Sequence, residues 1–363
     1  MNPSTVDSAA PGLRVLALSL YGPLAASTRH RISYYIPELA AAGIHVDVAP
    51  FLDDAYLQRR FADGGISLAA VGKGYLQRMR QLLGQGRYDC AWVQGELSPL
   101  LPGWLDRAML RIPYVYDFDD AYYLKYALRG GWQARLLGRK FDQFMAGASV
   151  VAAGNRALEG HAREFNQDVR IVPTVVDHRR YLAAHGARQS GVFNVGWIGS
   201  PSSIRCLTVV REPLARLAQE GPVRLTVVGG IAPPIPGVEV VNVPWSEDTE
   251  VELIRTFDVG IMPLEDEPWT RGKCAFKLIQ YMACGVPAIG SPVGANVEVI
   301  GNEAGLLAAS DEQWLDALQL IRDNTAVASQ LGKAGRSKVA THYSLLSQVP
   351  MYQQILRDAA KKG

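Results

Sequence analysis

The chain has 363 residues, above the size at which a single hydrophobic core usually stops growing, so two domains of roughly 150 to 200 residues are expected. Lys and Arg number 37 against 35 Asp and Glu, a net charge of +2 that argues against nucleic acid as a partner and leaves only local basic patches. The four cysteines, Cys90, Cys206, Cys274 and Cys284, form no close pair and the six histidines show no metal-ligand spacing, a pattern that fits a reduced, cytoplasmic protein without zinc.

In chain order, MNPSTVDSAAPG lacks the basic start and apolar core of a secretory signal. No later run reaches the ~20 apolar residues of a spanning helix, so membrane contact is expected at the surface at most. The short β-branched runs at 13–20, 45–51, 89–94, 114–118 and 149–154 then alternate with helix-length amphipathic segments. That alternation predicts a parallel sheet with crossover helices. The pattern restarts at 192–199, 223–230, 238–243, 259–264 and 287–291, which predicts a second sheet of the same kind.

Between the two series, VRIVPTVVDHRRYLAAHGARQSG opens like a strand and turns polar, placing the boundary within 177–191. Domains are accordingly expected over 1–180 and 181–345, with 346–363 a C-terminal helix that packs back on the first domain and is kinked or restarted at Pro350. Ligands of open α/β sheets bind beyond the carboxyl ends of the strands. Two such domains imply a cleft.

The most informative stretch is RGKCAFKLIQYMACGVPAIGSPVG, residues 271–294. Ala275 to Ala283 suits a helix that ends at Cys284-Gly285 before the strand VPAIGS. Lys273, Lys277 and Gln280 share a face running up from its N-terminus. Unpaired N–H groups and the positive end of the helix dipole, deepened by two lysines, suit a diphosphate. The same spacing also describes an amphipathic helix whose lysines are merely solvated. A second loop, Gly199-Ser200-Pro201-Ser202-Ser203, follows the first strand of this half and can bring N–H and hydroxyl groups against a phosphate or sugar, with Ser200 and Ser202 as candidates.

With these motifs in place, the chain resembles the glycosyltransferases of family 4, and more narrowly a bacterial subgroup found in polysaccharide gene clusters. The residues that carry the likeness are ASTRHR (26–31), YDFDDA (116–121), GNRAL (154–158), PTVVD (173–177), GWIGSPSS (196–203) and GKCAFKLIQYMACGVPAIGSPVG. The resemblance implies a GT-B fold, two Rossmann-like domains facing each other across a cleft, with the acceptor mainly on the first and a UDP- or GDP-linked sugar on the second. The donor is then a substrate, and no cofactor or metal is expected.

Carried over residue by residue, the resemblance puts Lys273 and Lys277 on the diphosphate, with Ser200 approaching from the facing loop. It puts the base against the backbone of Val243 to Trp245, although Trp245 also suits a cap on the core. The family commonly carries two glutamates where this sequence has Gly272 and Gln280. A glutamine can keep a ribose contact, because its amide both donates and accepts. Glycine cannot replace a carboxylate, so donor-sugar recognition must differ, with Glu265, Asp266 and Glu267 as candidates.

The stretch YDFDDAYY closes a strand of the first domain with Asp117, Asp119 and Asp120. Asp119 falls where the family often has histidine. It is expected, with Asp117 or Asp120 in support, to meet the acceptor hydroxyl or the donor sugar, while one of the three can cap the following helix. A metal is not expected there, because the lysines and helix end already supply positive charge at the diphosphate. Arg29 and Arg31 follow the first strand and can meet the donor phosphate or an anionic acceptor, or lie on an ordinary surface helix. Gln94 and Glu96 end another strand and can line the acceptor pocket.

Transfer with retention is what the family implies, the acceptor being a glycan or lipid-linked precursor. Basic and apolar residues interleave at 73–83 and 125–141, where Lys73, Arg78, Arg80, Arg135, Arg139 and Lys140 either seat the chain on an anionic membrane or line solvated helix faces. The expected location is the cytoplasm, up to the inner face of its membrane. Two rival readings remain at this stage: a non-catalytic nucleotide-sugar-binding protein, suggested by Gly272, and a nucleotide-sugar epimerase, which the same two-sheet design serves.

Overall fold

The computed structural model describes residues 12–65, 67–181 and 191–362. The N-terminal stretch before Gly12 and part of the boundary segment, 182–190, lie outside the described residues. Among the described residues the strands form two six-stranded sheets. The chain divides into two compact units. The first comprises the chain up to Gly154, Leu158–Val172 and everything from Val349; the second is Asn155–Ala157 with Pro173–Gln348.

In the first unit the strands are β1 (Leu13–Tyr21), β2 (Ile44–Leu52), β3 (Cys90–Gln94), β4 (Tyr114–Phe118), β5 (Val150–Ala153) and β6 (Val169–Ile171), all parallel in the order β2-β1-β3-β4-β5-β6. Every residue of β3, β4 and β5 is buried. Both faces are covered, which is why these strands read as unbroken apolar runs rather than as alternations. Leaving β1, the chain goes to one side for β2 and then to the other for β3, so the switch point of this sheet lies between β1 and β3.

The second unit repeats the plan with β7 (Phe193–Ile198), β8 (Val223–Val228), β9 (Val238–Val243), β10 (Val259–Met262), β11 (Ala288–Gly290) and β12 (Leu306–Leu307), ordered β12-β11-β10-β7-β8-β9. Here the direction reverses between β7 and β10, which pair only at Val259–Val195 and Gly260–Gly196. Beyond those pairs Tyr281 fills the gap: its hydroxyl accepts from the Ile198 N–H at 3.0 Å and donates to the Ile261 carbonyl at 3.2 Å. Its ring lies directly over Gly260, where even a methyl group would come within 2.2 Å of it.

The last helix, Leu345–Ala360, runs through Pro350 as one element. From Val349 onward it belongs to the first unit, where the Tyr352 hydroxyl donates to Asp117 at 2.5 Å and Asp358 pairs with Arg170 at 2.8 Å. Among the described residues no helix is long and apolar enough to cross a membrane.

Candidate active site

The helix Phe276–Ala283 begins at the switch point of the second sheet because Tyr281 anchors it there. One turn earlier on the same face stands Lys277. Its ammonium lies 4.9 Å from the Trp197 ring centroid, a cation–π contact at the end of β7. A methyl group on Gly199 would stand 2.6 Å from Lys277 Cε, so the turn after β7 passes directly beneath this side chain. The residue that opens the helix, Ala275, is buried with φ +53°, a left-handed conformation that an alanine holds only when its surroundings impose it. Just before it, buried Asn155 donates to the carbonyls of Gly272 at 2.9 Å and Lys273 at 3.1 Å and so holds the turn that leads into the helix.

Ser200 and Ser202 are exposed, with their hydroxyls 2.9 Å apart, and Ser203 Oγ donates to the Ser200 carbonyl at 2.9 Å. Gly229, after β8, has φ +86° and meets the same turn, for a methyl group on it would be 2.4 Å from the Gly199 carbonyl and 3.2 Å from Trp245 Cβ. Lys277, the Gly199 turn and Trp245 thus form one cluster at the carboxyl ends of β7, β8 and β9. Gln280 joins it from the other side. Its side chain is buried and reaches Tyr181 Oη at 3.4 Å and Glu250 Oε2 at 3.5 Å, while Trp245 Nε1 donates to the same Glu250 oxygen at 2.8 Å.

Glu250 and Tyr181 have no place in the reading of the sequence alone. The only local signal was Glu250 in the first turn of the helix Glu250–Arg255, where an acidic residue is ordinary chemistry. Of the three acidic residues proposed to compensate for Gly272, Asp266 pairs with Arg271 at 2.6 Å and Glu267 with Arg205 at 3.2 Å. Glu265 is exposed in the same loop.

In the first unit the structure separates the candidates. Asp117 is fully buried on β4 and accepts from Arg31 Nε at 2.8 Å, Trp92 Nε1 at 3.0 Å and the Tyr352 hydroxyl. Arg31 is itself fully buried and donates further to the Val172 carbonyl. These two residues are paired with each other inside the first unit, and the acceptor or phosphate role expected of them competes with that pairing. Glu96 is buried between Lys140 at 2.9 Å and Lys125, which overcome the effect of burial and hold its carboxyl below the ordinary range. Arg29 is buried and reaches the carbonyls of Pro23 and Leu24 at 3.4 and 3.3 Å.

Asp119 and Asp120 remain at the end of β4, both half-buried. Gln94 approaches Asp119 at 3.5 Å, and Asp120 accepts from the Ala121 N–H at 2.9 Å. Burial pushes the Asp119 carboxyl up to about 6; Arg31 opposes the rise, and the neighbouring charges of Asp120 and Asp117 add to it. Among the basic residues read as surface charge, Arg78 and Lys140 are corrected. Arg78 is buried and donates to the carbonyls of Ala49 and Ser19 at 3.1 and 2.7 Å, and Lys140 pairs with Glu96 and Asp106. Lys73, Arg80, Arg135 and Arg139 are exposed. Among the described residues no group of three or more His, Cys, Asp or Glu side chains is arranged to hold a metal ion.

Residues 28–189 match the family model described as "Glycosyl transferase 4-like domain", and residues 192–324 the model described as "Glycosyl transferases group 1". The chain is a glycosyltransferase of the family 4 type. Among solved structures the transferase is similar to a sucrose-phosphate synthase from Thermosynechococcus elongatus, with 18% identity and a TM-score of 0.71 over 97% of this chain and 100% of that one. It is similar also to the Anabaena protein HepE in complex with UDP, at 14% identity and a TM-score of 0.66 over 95% of this chain and 99% of that one. An α,α-trehalose 6-phosphate synthase from Burkholderia multivorans matches at 14% identity and a TM-score of 0.64, covering 97% of each chain. No curated protein matches the chain. At these identities the likenesses carry the fold, and the two parallel sheets of the transferase are the two Rossmann-like domains of GT-B.

Proposed function

We propose that this glycosyltransferase moves a sugar from a UDP- or GDP-linked donor, with retention and without a metal ion, to a hydroxyl of a glycan or lipid-linked polysaccharide precursor. The observation that carries the reading is the cluster at the switch point of the second sheet, where Lys277, the Gly199 turn, Trp245 and Gln280 meet at the start of one helix. Lys277 and Lys273, with the helix N-terminus, take the diphosphate, and Ser200 and Ser202 approach it from the turn after β7. The backbone at Val243 to Trp245 takes the base. Gln280 takes the ribose.

In the transfer the bond from the anomeric carbon to the β-phosphate oxygen breaks and a bond to the acceptor oxygen forms on the same face. The departing phosphate oxygen receives the acceptor proton. The protein acts by positioning and by stabilising the negative charge that grows on the diphosphate. Asp119, supported by Asp120, contacts the acceptor hydroxyl or the donor sugar. Gly272 offers no carboxylate to the donor sugar, and Glu265 is the candidate in its place, since Asp266 and Glu267 are paired with arginines.

Contact with an anionic membrane is supported by apolar side chains standing in solvent beside basic ones. On the helix Leu68–Leu83 these are Leu76, Met79 and Leu83, the last 81% exposed, next to Lys73 and Arg80. Trp132, 62% exposed, and Leu136 stand beside Arg135 and Arg139.

The deciding experiment is a panel of UDP- and GDP-sugars scored by thermal shift and by release of free nucleotide without acceptor. One donor that both stabilises and is slowly hydrolysed is the expected result. Stabilisation with no turnover, even with membrane extract added as acceptor, would favour a non-catalytic binding protein. Flotation with liposomes, with and without anionic lipid, tests the membrane contact.

A further inference from the structure

Glu250 is 2% exposed, yet among the described residues the groups that hydrogen-bond its carboxylate are all neutral donors. Oε1 accepts from the Tyr181 hydroxyl at 3.3 Å; Oε2 accepts from Trp245 Nε1 at 2.8 Å and from Gln280 Nε2 at 3.5 Å. A buried carboxylate held without a cation is costly to keep, so its place calls for a reason. The dipole of the helix it begins offsets part of that cost and supplies the plainest reason.

The amide of Gln280 suggests a stronger one. The amide turns its nitrogen toward Glu250, whose Oε2 accepts from it at 3.5 Å. Both hydrogens of Nε2 are then committed, one to Glu250 and one to Tyr181 Oη at 3.4 Å. Among the described residues nothing donates to Gln280 Oε1. Rotating the amide by half a turn would set that oxygen against Glu250 Oε2, acceptor against acceptor.

We propose that Glu250 is a positioning residue for the donor nucleoside, locking Gln280 with its carbonyl oxygen outward to accept from the ribose hydroxyls and holding Trp245 through its indole N–H. The proposal rests on the reading of Gln280 as the ribose contact. It also accounts for the glutamine. A glutamate at 280 would set two carboxylates side by side in one buried pocket, where like charges oppose each other's ionisation. Glu250 thus supplies the negative charge of the site from one step behind, and position 280 carries the neutral acceptor.

The test compares the binding of UDP and GDP with that of their 2′-deoxy counterparts by calorimetry. The wild type should prefer the ribonucleotide. Glu250→Gln frees the amide to rotate and should shrink that preference about tenfold, and Gln280→Glu alone should do the same, each an effect of the size of one hydrogen bond to a fixed acceptor. The double variant Glu250→Gln with Gln280→Glu restores one carboxylate and one amide, and should recover the preference to within about threefold of the wild type.

A purely structural Glu250 would leave the ribose preference unchanged in Glu250→Gln, whatever happened to the melting temperature, and that result overturns the proposal. If Glu250→Gln does not fold, Gln280→Glu decides alone, because tighter ribonucleotide binding in that variant would show that Glu250 exerts no opposing charge. Failure of the wild type to bind any of these nucleotides would overturn the donor reading itself, and this inference with it. Binding with no ribose preference would overturn only the assignment of Gln280 and what is built on it.

Discussion

The Tyr281 hydroxyl stands between two strands that have ceased to pair, accepting from the Ile198 N–H at 3.0 Å and donating to the Ile261 carbonyl at 3.2 Å. It closes the backbone hydrogen bonding of β7 and β10 at the point where the sheet opens, and it fixes the helix that carries Lys277. Tyr281→Phe should therefore cost about 1–3 kcal/mol of stability, because it leaves a buried N–H without a partner. Urea unfolding measures the loss. The same variant should weaken nucleotide binding, because the Gly199 turn follows Ile198 directly; a stability loss with unchanged affinity would uncouple the two.

Lys277→Ala tests the diphosphate role. Removing one preorganised charge from a growing oxyanion typically costs about 3 kcal/mol, roughly a hundredfold or more in rate. A loss of that size in kcat with the assigned donor is expected. A fall of less than about threefold would leave the lysine as a cap over the Trp197 ring and nothing more.

The strands were legible because buried parallel strands are continuous apolar runs bounded by turns, and β3 to β5 are of this kind throughout. At two residues, β12 is too short to leave a pattern. The helix over 276–283 was legible from its periodicity and its terminal Cys284-Gly285. What could not be read were partnerships across long separations. Arg31 and Asp117 lie 86 positions apart, and Gln280 lies 99 from Tyr181 and 30 from Glu250. Nothing local distinguishes a buried cation such as Arg78 or Lys140 from its exposed neighbours Arg80 and Arg139, since helical spacing alone does not say which face the core covers.

The Arg31–Asp117 pair is expected to act on stability. Asp117→Ala would take the paired carboxylate from a fully buried guanidinium and the acceptor from the donors on Trp92 and Tyr352, and breaking a buried pair from one side costs about 3–5 kcal/mol. Chemical denaturation should show a loss of this order. Were Asp117 instead an acceptor ligand, the change would fall on KM with stability nearly intact.

Asp119 gives the pH dependence its sign. Its carboxyl is raised from 3.8 to about 6 in the folded protein, chiefly by burial. Between those values the folded state holds a proton that the unfolded chain has released, so stability falls as pH rises through this window, and above it the full penalty is present. At ~1.4 kcal/mol per unit, about 3 kcal/mol is an upper bound, because a half-buried carboxylate keeps part of its hydration. Asp119→Asn should flatten the stability profile between pH 4 and 6, within the range the shift spans. Asp106 is also raised to about 6, again chiefly by burial, and should contribute a slope of the same sign.

Activity separates the two aspartates. If the ionised Asp119 contacts the acceptor or donor, kcat/KM rises with pH through about 6 while stability declines, and Asp119→Asn removes that acid limb along with much of the rate. Asp106→Asn should change the stability slope and leave the limb in place. An acid limb that persisted in Asp119→Asn would move the titrating group elsewhere and return Asp119 to the interior chemistry of β4.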